Sequence, residues 1–149
     1  MNLFSVARRT IEIEKEAIRA AYEDVRNDAT ETSWMLCGYE DSKIVHLKSG
    51  DDVEEIKSYL EEDARLYVFY RTVTGDDLSK RAKFAFIIWC GPNVSAMNRA
   101  RMSTEAAFVK DIIQSYAIEK TITDASDFDL EHLRSLMVKA GGAAYGSAS

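Results

Sequence analysis

Lys83-Phe84-Ala85-Phe86-Ile87-Ile88-Trp89-Cys90 is the stretch that decides the fold of this chain. It is short, aromatic and apolar without polar alternation, the pattern of a strand covered on both faces. Ala64 to Val73 has the same character and is joined to it through Thr74-Gly75-Asp76-Asp77. Together they read as paired strands at the centre of a sheet.

Helices and a hairpin lie upstream of this pair. From Glu14 to Asn27, Ile18, Ala21, Tyr22 and Val25 share one helical face, while Glu16, Arg19, Glu23 and Arg26 share the other. Thr32–Tyr39 and Lys43–Leu47 read as a hairpin turning at Glu40-Asp41-Ser42. Ser49 and Asp52 have the spacing of a capping box ahead of Val53, Ile56, Tyr59 and Leu60, which predicts a short helix.

Downstream, Gly91-Pro92 and Asn93-Val94-Ser95 read as the turn that starts a further helix. Phe108, Val109, Ile112, Ile113 and Tyr116 mark its apolar stripe, and it is expected to be the longest helix of the chain. A brief strand, Glu119 to Thr123, precedes the capping pattern Ser126 to Asp129 and a final helix carrying Leu130, Leu133, Leu136 and Met137, ended by Gly141-Gly142. The order α-ββ-α-ββ-α-β-α predicts one α/β domain of three layers, a sheet between helices. Residues 1–13 read as a flexible or helical lead-in, 14–140 as the domain and 141–149 as a small-residue tail.

Composition bounds the function classes. A chain of 149 residues with 46% apolar and 30% charged residues is an ordinary one-domain globular protein. No apolar run approaches the roughly 20 residues of a membrane-spanning helix. Cys37 and Cys90 lie in strand-like runs with no C-x-x-C, so they read as buried reduced thiols, which points to a cytosolic address. His46 and His132 stand alone, without metal-ligand spacing, and read as surface residues. No glycine-rich phosphate loop and no nucleophile elbow is present. Nine acids between Glu40 and Asp63 outnumber three lysines, but Asp51, Asp52, Glu54 and Glu55 have the look of a solvated helix start rather than a catalytic pair.

Against a formal charge of −6, the window Ser79 to Thr104 carries Lys80, Arg81, Lys83, Arg99 and Arg101 and no acid. One sign concentrated beside a rigid strand suits an anionic partner. The pI near 5.0 argues against a nucleic acid. The aromatics Phe84, Phe86, Trp89, Trp34, Tyr67 and Tyr70 read as core rather than a stacking platform. An acidic protein surface is the better match.

Arg19-Ala20-Ala21-Tyr22 with Val25-Arg26, Ala64-Arg65-Leu66-Tyr67, Thr74-Gly75-Asp76, Ser79-Lys80-Arg81 with Lys83-Phe84-Ala85, Asn93-Val94-Ser95, Arg99-Ala100, and Lys139 to Ala143 with Tyr145 occur in this order. With these marks the chain, from about Glu14 to Tyr145, resembles the actin-depolymerising factor homology (ADF-H) family, and within it the coactosin-like members. The resemblance implies a five- or six-strand mixed sheet between helices, and actin binding without catalysis. It ties the lysine that closes the Ser-Lys-Arg-x-Lys-Phe motif, here Lys83, to filament binding. It also implies that basic residues near the start of the long helix meet actin, as Arg99 and Arg101 would in the basic-x-basic-Met pattern completed by Met102. The short Ser-Gly start through which cofilin is controlled by phosphorylation is absent, since Met1 to Ile13 is longer and Ser5 is followed by Val6. Asp77-Leu78 adds an acid ahead of the basic motif.

The expectation is a monomeric cytosolic, non-enzymatic protein that binds the side of actin filaments through Lys80, Arg81, Lys83, Arg99 and Arg101. It would bind monomers more weakly, need no cofactor or metal, and act by occupancy in competition with proteins such as cofilin. The alternatives are cofilin-like monomer binding with filament severing, and an adaptor for a non-actin protein.

Overall fold

In the computed structural model, residues 11–75 and 78–147 are described, with side chains through Ala140. Most of the lead-in, the Asp76-Asp77 part of the central connection and the last two residues lie outside the described residues. The elements are β1 (Glu12–Ile13), α1 (Lys15–Arg26), β2 (Trp34–Glu40), β3 (Lys43–Gly50), a 3-10 segment (Val53–Tyr59), β4 (Arg65–Thr74), β5 (Arg81–Cys90), α2 (Ala96–Lys110), β6 (Ile118–Ile122), a second 3-10 turn (Ala125–Asp127) and α3 (Leu130–Ser147). The six-stranded sheet has the order β1-β3-β2-β4-β5-β6. Its inner ladders are antiparallel and its outermost pairs, β1 with β3 and β5 with β6, are parallel. This is the mixed sheet between helices expected above.

Alternation along β4 and β5 explains the three layers. Tyr67 and Phe69 of β4, with Phe86, Ile88 and Cys90 of β5, point into one core with Ile18, Tyr22 and Val25 of α1 and Met102, Ala106 and Val109 of α2. Leu66, Val68 and Tyr70, with Ala85, Ile87 and Trp89, point into the other core with Ile56, Phe128, Leu133 and Met137. Both strands are interior, and both faces are covered, as near-continuous apolar runs require. Cys37 and Cys90 are buried and free, and burial pushes the Cys37 thiol up to about 12. The buried indole nitrogens are satisfied by backbone: Trp34 Nε1 donates to Asp52 at 2.7 Å and Trp89 Nε1 to Glu61 at 2.9 Å.

Local signals placed some element ends differently from the structure. Ser49 lies within β3, opposite Met35, and its hydroxyl meets His46; Asp52 instead caps the segment after it, which is a 3-10 helix. Asp129 caps α3 by accepting from the backbone N–H groups of Glu131 and His132, while Ser126 sits in the preceding 3-10 turn. Helix α2 stops at Lys110, so Ile112, Ile113 and Tyr116 lie beyond it, although both isoleucines are buried. Helix α3, at 18 residues against 15 for α2, is the longer, and it runs through Gly141-Gly142. Phe84 is only partly buried.

Candidate binding surface at the ends of strand β5

The β4–β5 register places Arg81 opposite Thr74 and Lys83 opposite Thr72. Because side chains alternate, Arg81 and Lys83 share the face of Ala85 and Ile87, the face that α3 covers. Lys80, just ahead of the strand, and Arg81 are exposed; Lys83 is partly buried, and the sheet fixes the point from which its side chain leaves β5. Helix α3 brings another cation to this spot: Arg134 Nη1 donates to Thr72 Oγ1 at 2.9 Å. Arg134 lies outside the basic window, and nothing in its local sequence distinguishes it from any other helix cation. Only the packing of α3 on this face of the sheet, against β5 and β6, brings it to Thr72, the register partner of Lys83.

Arg99 and Arg101 lie elsewhere. Ser95 caps α2 by accepting from Asn98 N–H at 3.1 Å, as the Asn93-Val94-Ser95 turn predicted. In the first turns of that helix, Arg99 Nη2 donates to Gly91 O at 3.1 Å and Val94 O at 3.5 Å, so this arginine ties the turn to the helix. Gly91 is itself required here, because a Cβ would collide with the Glu62 carbonyl. Arg101 is exposed. Lys83 and Gly91 are eight strand residues apart, roughly 25 Å at the usual rise. The basic window is therefore split: Lys80, Arg81 and Lys83 lie with Arg134 at one end of β5, Arg99 lies at the other, and Arg101, two residues further along α2, projects from a different side of that helix.

Helix α2 is held to the sheet by a polar group beneath it. Tyr39 Oη donates to Glu105 Oε1 at 2.8 Å and meets Tyr67 Oη at 2.7 Å, and Tyr67 Oη reaches Met102 O at 3.3 Å. Burial, with these neighbours, raises the Tyr39 hydroxyl well above its ordinary range, and burial does the same to Tyr67. Arg65 stacks over Tyr39, its Cζ 3.8 Å from the ring centre.

The acidic segment is solvated. Glu54 and Glu55 are exposed in the first turn of the 3-10 segment, and Glu54 pairs with Lys57 at 3.3 Å. His132 is exposed; His46 is partly buried and bonded to Ser49 at 2.8 Å. Among the described residues no helix is long and apolar enough to cross a membrane.

Residues 10–137 match the model of the cofilin/tropomyosin-type actin-binding proteins. The human coactosin-like protein is 41% identical over 133 residues, covering 89% of this chain and 94% of the relative. This chain belongs to the coactosin family. Coactosin of Dictyostelium discoideum is 36% identical, covering 90% of this chain and 94% of its own. Among solved coactosin structures, a crystal structure of the human coactosin-like protein superposes with a TM-score of 0.83 at 38% identity, covering 87% of this chain and 99% of its own. Mouse coactosin, described as an actin filament binding protein, gives 0.75 at 40% identity, covering 93% and 98%.

Proposed function

We propose that this protein binds the sides of actin filaments, with Lys83 as the anchor and Lys80 and Arg81 beside it. The observation that carries this reading is the fixed emergence of Lys83 from β5 next to Arg134, in a chain 40% identical to a filament-binding coactosin. Cations at both ends of a whole strand also suit a partner that offers repeated acceptor surfaces, as successive subunits of a filament do. A single subunit that engaged only one end would lose the gain of linked contacts, which supports weaker monomer binding. On this reading the protein has no catalytic role, acts in the cytoplasm on the cytoskeleton, and alters filament stability by occupying sites that other side-binding proteins such as cofilin use.

The second reading, monomer binding with severing, draws on Arg99 and Arg101 at the start of α2. Filament co-sedimentation run beside a monomer-binding titration tests both. The proposal expects a filament pellet that weakens as salt rises, because exposed charges are screened over about 8 Å at physiological ionic strength. Tight monomer sequestration would select the second reading. Binding to neither form of actin would leave an adaptor role for another protein.

A further inference from the structure

Tyr22 and Arg26 of α1 reach the same end of the sheet as Lys83, from the opposite face. Phe84 follows Lys83 in β5 and turns toward α1. The Arg26 guanidinium lies over two rings, its Cζ 5.4 Å from the centre of Tyr22 and 6.0 Å from that of Phe84. Its Nη1 donates to Tyr22 Oη at 3.3 Å, and that oxygen accepts from Ser115 N–H at 3.1 Å, which fixes the tyrosine.

Arg71 stands over Phe84 as well, 5.6 Å from the ring centre, but its charge is engaged within the fold. It donates to Asp28 at 2.6 Å and to the carbonyls of Val25 and Asn27 at 2.9 and 3.3 Å, closing the end of α1. Its side chain is 13% exposed. Arg26 is exposed, and among the described residues no carboxylate lies within 4 Å of it. With Nη1 on the Tyr22 hydroxyl, the Nη2–Nε side of this seated guanidinium is the edge that a carboxylate can take in bidentate fashion, and the side chain has already lost much of the freedom that binding would otherwise remove. Exposed cations without such a seat, Arg19 on the same helix among them, have no comparable advantage.

We infer that Arg26 is a contact residue for a carboxylate of the actin filament, so that the binding surface wraps around the end of the β4–β5 hairpin, with Lys83 on one face of the sheet and Arg26 on the other. This inference rests on the filament-binding reading above. It is tested by co-sedimentation of wild type, Lys83→Ala, Arg26→Gln and Arg19→Gln with filaments, and by the rate at which phenylglyoxal modifies Arg26 in the wild-type protein with and without saturating filaments. Arg26→Gln is expected to weaken binding about fivefold, the scale of one interface charge. Arg19→Gln should leave binding unchanged, and filaments should shield Arg26 from the reagent. If Lys83→Ala weakens binding while Arg26→Gln pellets like wild type and Arg26 stays reactive on filaments, this inference is overturned and the filament reading stands. If wild type does not pellet, the filament reading fails and Arg26 falls with it. Should Arg26→Gln not fold, the shielding measurement on wild type decides.

Discussion

The Arg99 guanidinium closes on the Gly91 carbonyl at 3.1 Å, tying the start of α2 to the end of β5. A residue in that position supports the fold as well as any partner contact. Arg99→Ala is expected to destabilise the protein by about 1–2 kcal/mol, since a charge-assisted hydrogen bond is lost and carbonyls are left without it. Arg101, exposed on the same helix, should change stability by no more than about 0.5 kcal/mol when replaced by Ala. Thermal melts of the two variants check this; equal melting would show that the Arg99 bonds contribute nothing.

Tyr39 and Tyr70 are both tyrosines of interior strands, yet their hydroxyls should behave oppositely. Tyr39 donates to the Glu105 carboxylate and meets Tyr67, so Tyr39→Phe leaves a half-buried acid without its donor. A loss of about 2 kcal/mol, or roughly 4–8 °C in melting temperature, is expected.

The Tyr70 hydroxyl is buried without a hydrogen-bond partner among the described residues. Tyr70→Phe removes a group that gains nothing from burial, so stability should stay level or rise by up to about 1 kcal/mol. A melting temperature clearly below wild type would mean that the hydroxyl is satisfied after all.

How legible these features were depends on how local their causes are. The paired strands β4 and β5 could be read because uninterrupted apolar runs demand cover on both faces, and the packing around Tyr67 and Val68 supplies it. Strand β1 could not, because Glu12 and Ile13 carry no periodicity; what makes them a strand is the parallel pairing with Lys43 and Ile44. The caps were misplaced by three residues for a related reason. A Ser and an Asp at capping spacing are locally equivalent, and the choice of Asp52 over Ser49 is made by the pairing that keeps Ser49 opposite Met35 in the sheet.

Of the candidate surface, the cations were legible and their arrangement was not. Charge clustering in sequence singled out Lys80, Arg81, Lys83, Arg99 and Arg101 as candidates, but a strand of ten residues separates what a charge count had placed in one window. Conversely, Arg134 is distant in sequence and adjacent in space, because Thr72 faces Lys83 across the ladder and α3 crosses that point. No window along the chain could have joined them.

The acidic segment should be silent in binding. Glu54 and Glu55 are exposed in the first turn of the 3-10 segment, and Glu54 already pairs with Lys57. Replacing both by Gln should leave filament co-sedimentation within about twofold of wild type, as for surface charges outside an interface. A tenfold loss would move the partner to this face.

Lys83 is the most direct test. It emerges from β5 opposite Thr72 at a position fixed by the sheet, and an interface charge facing an enclosed partner can cost about 2–5 kcal/mol when truncated. Co-sedimentation of Lys83→Ala with actin filaments, on protein shown to melt like wild type, is the measurement. The expected result is binding weakened at least about tenfold, or roughly 1.4 kcal/mol. A normally folded Lys83→Ala that pellets as wild type does would contradict the proposed anchor.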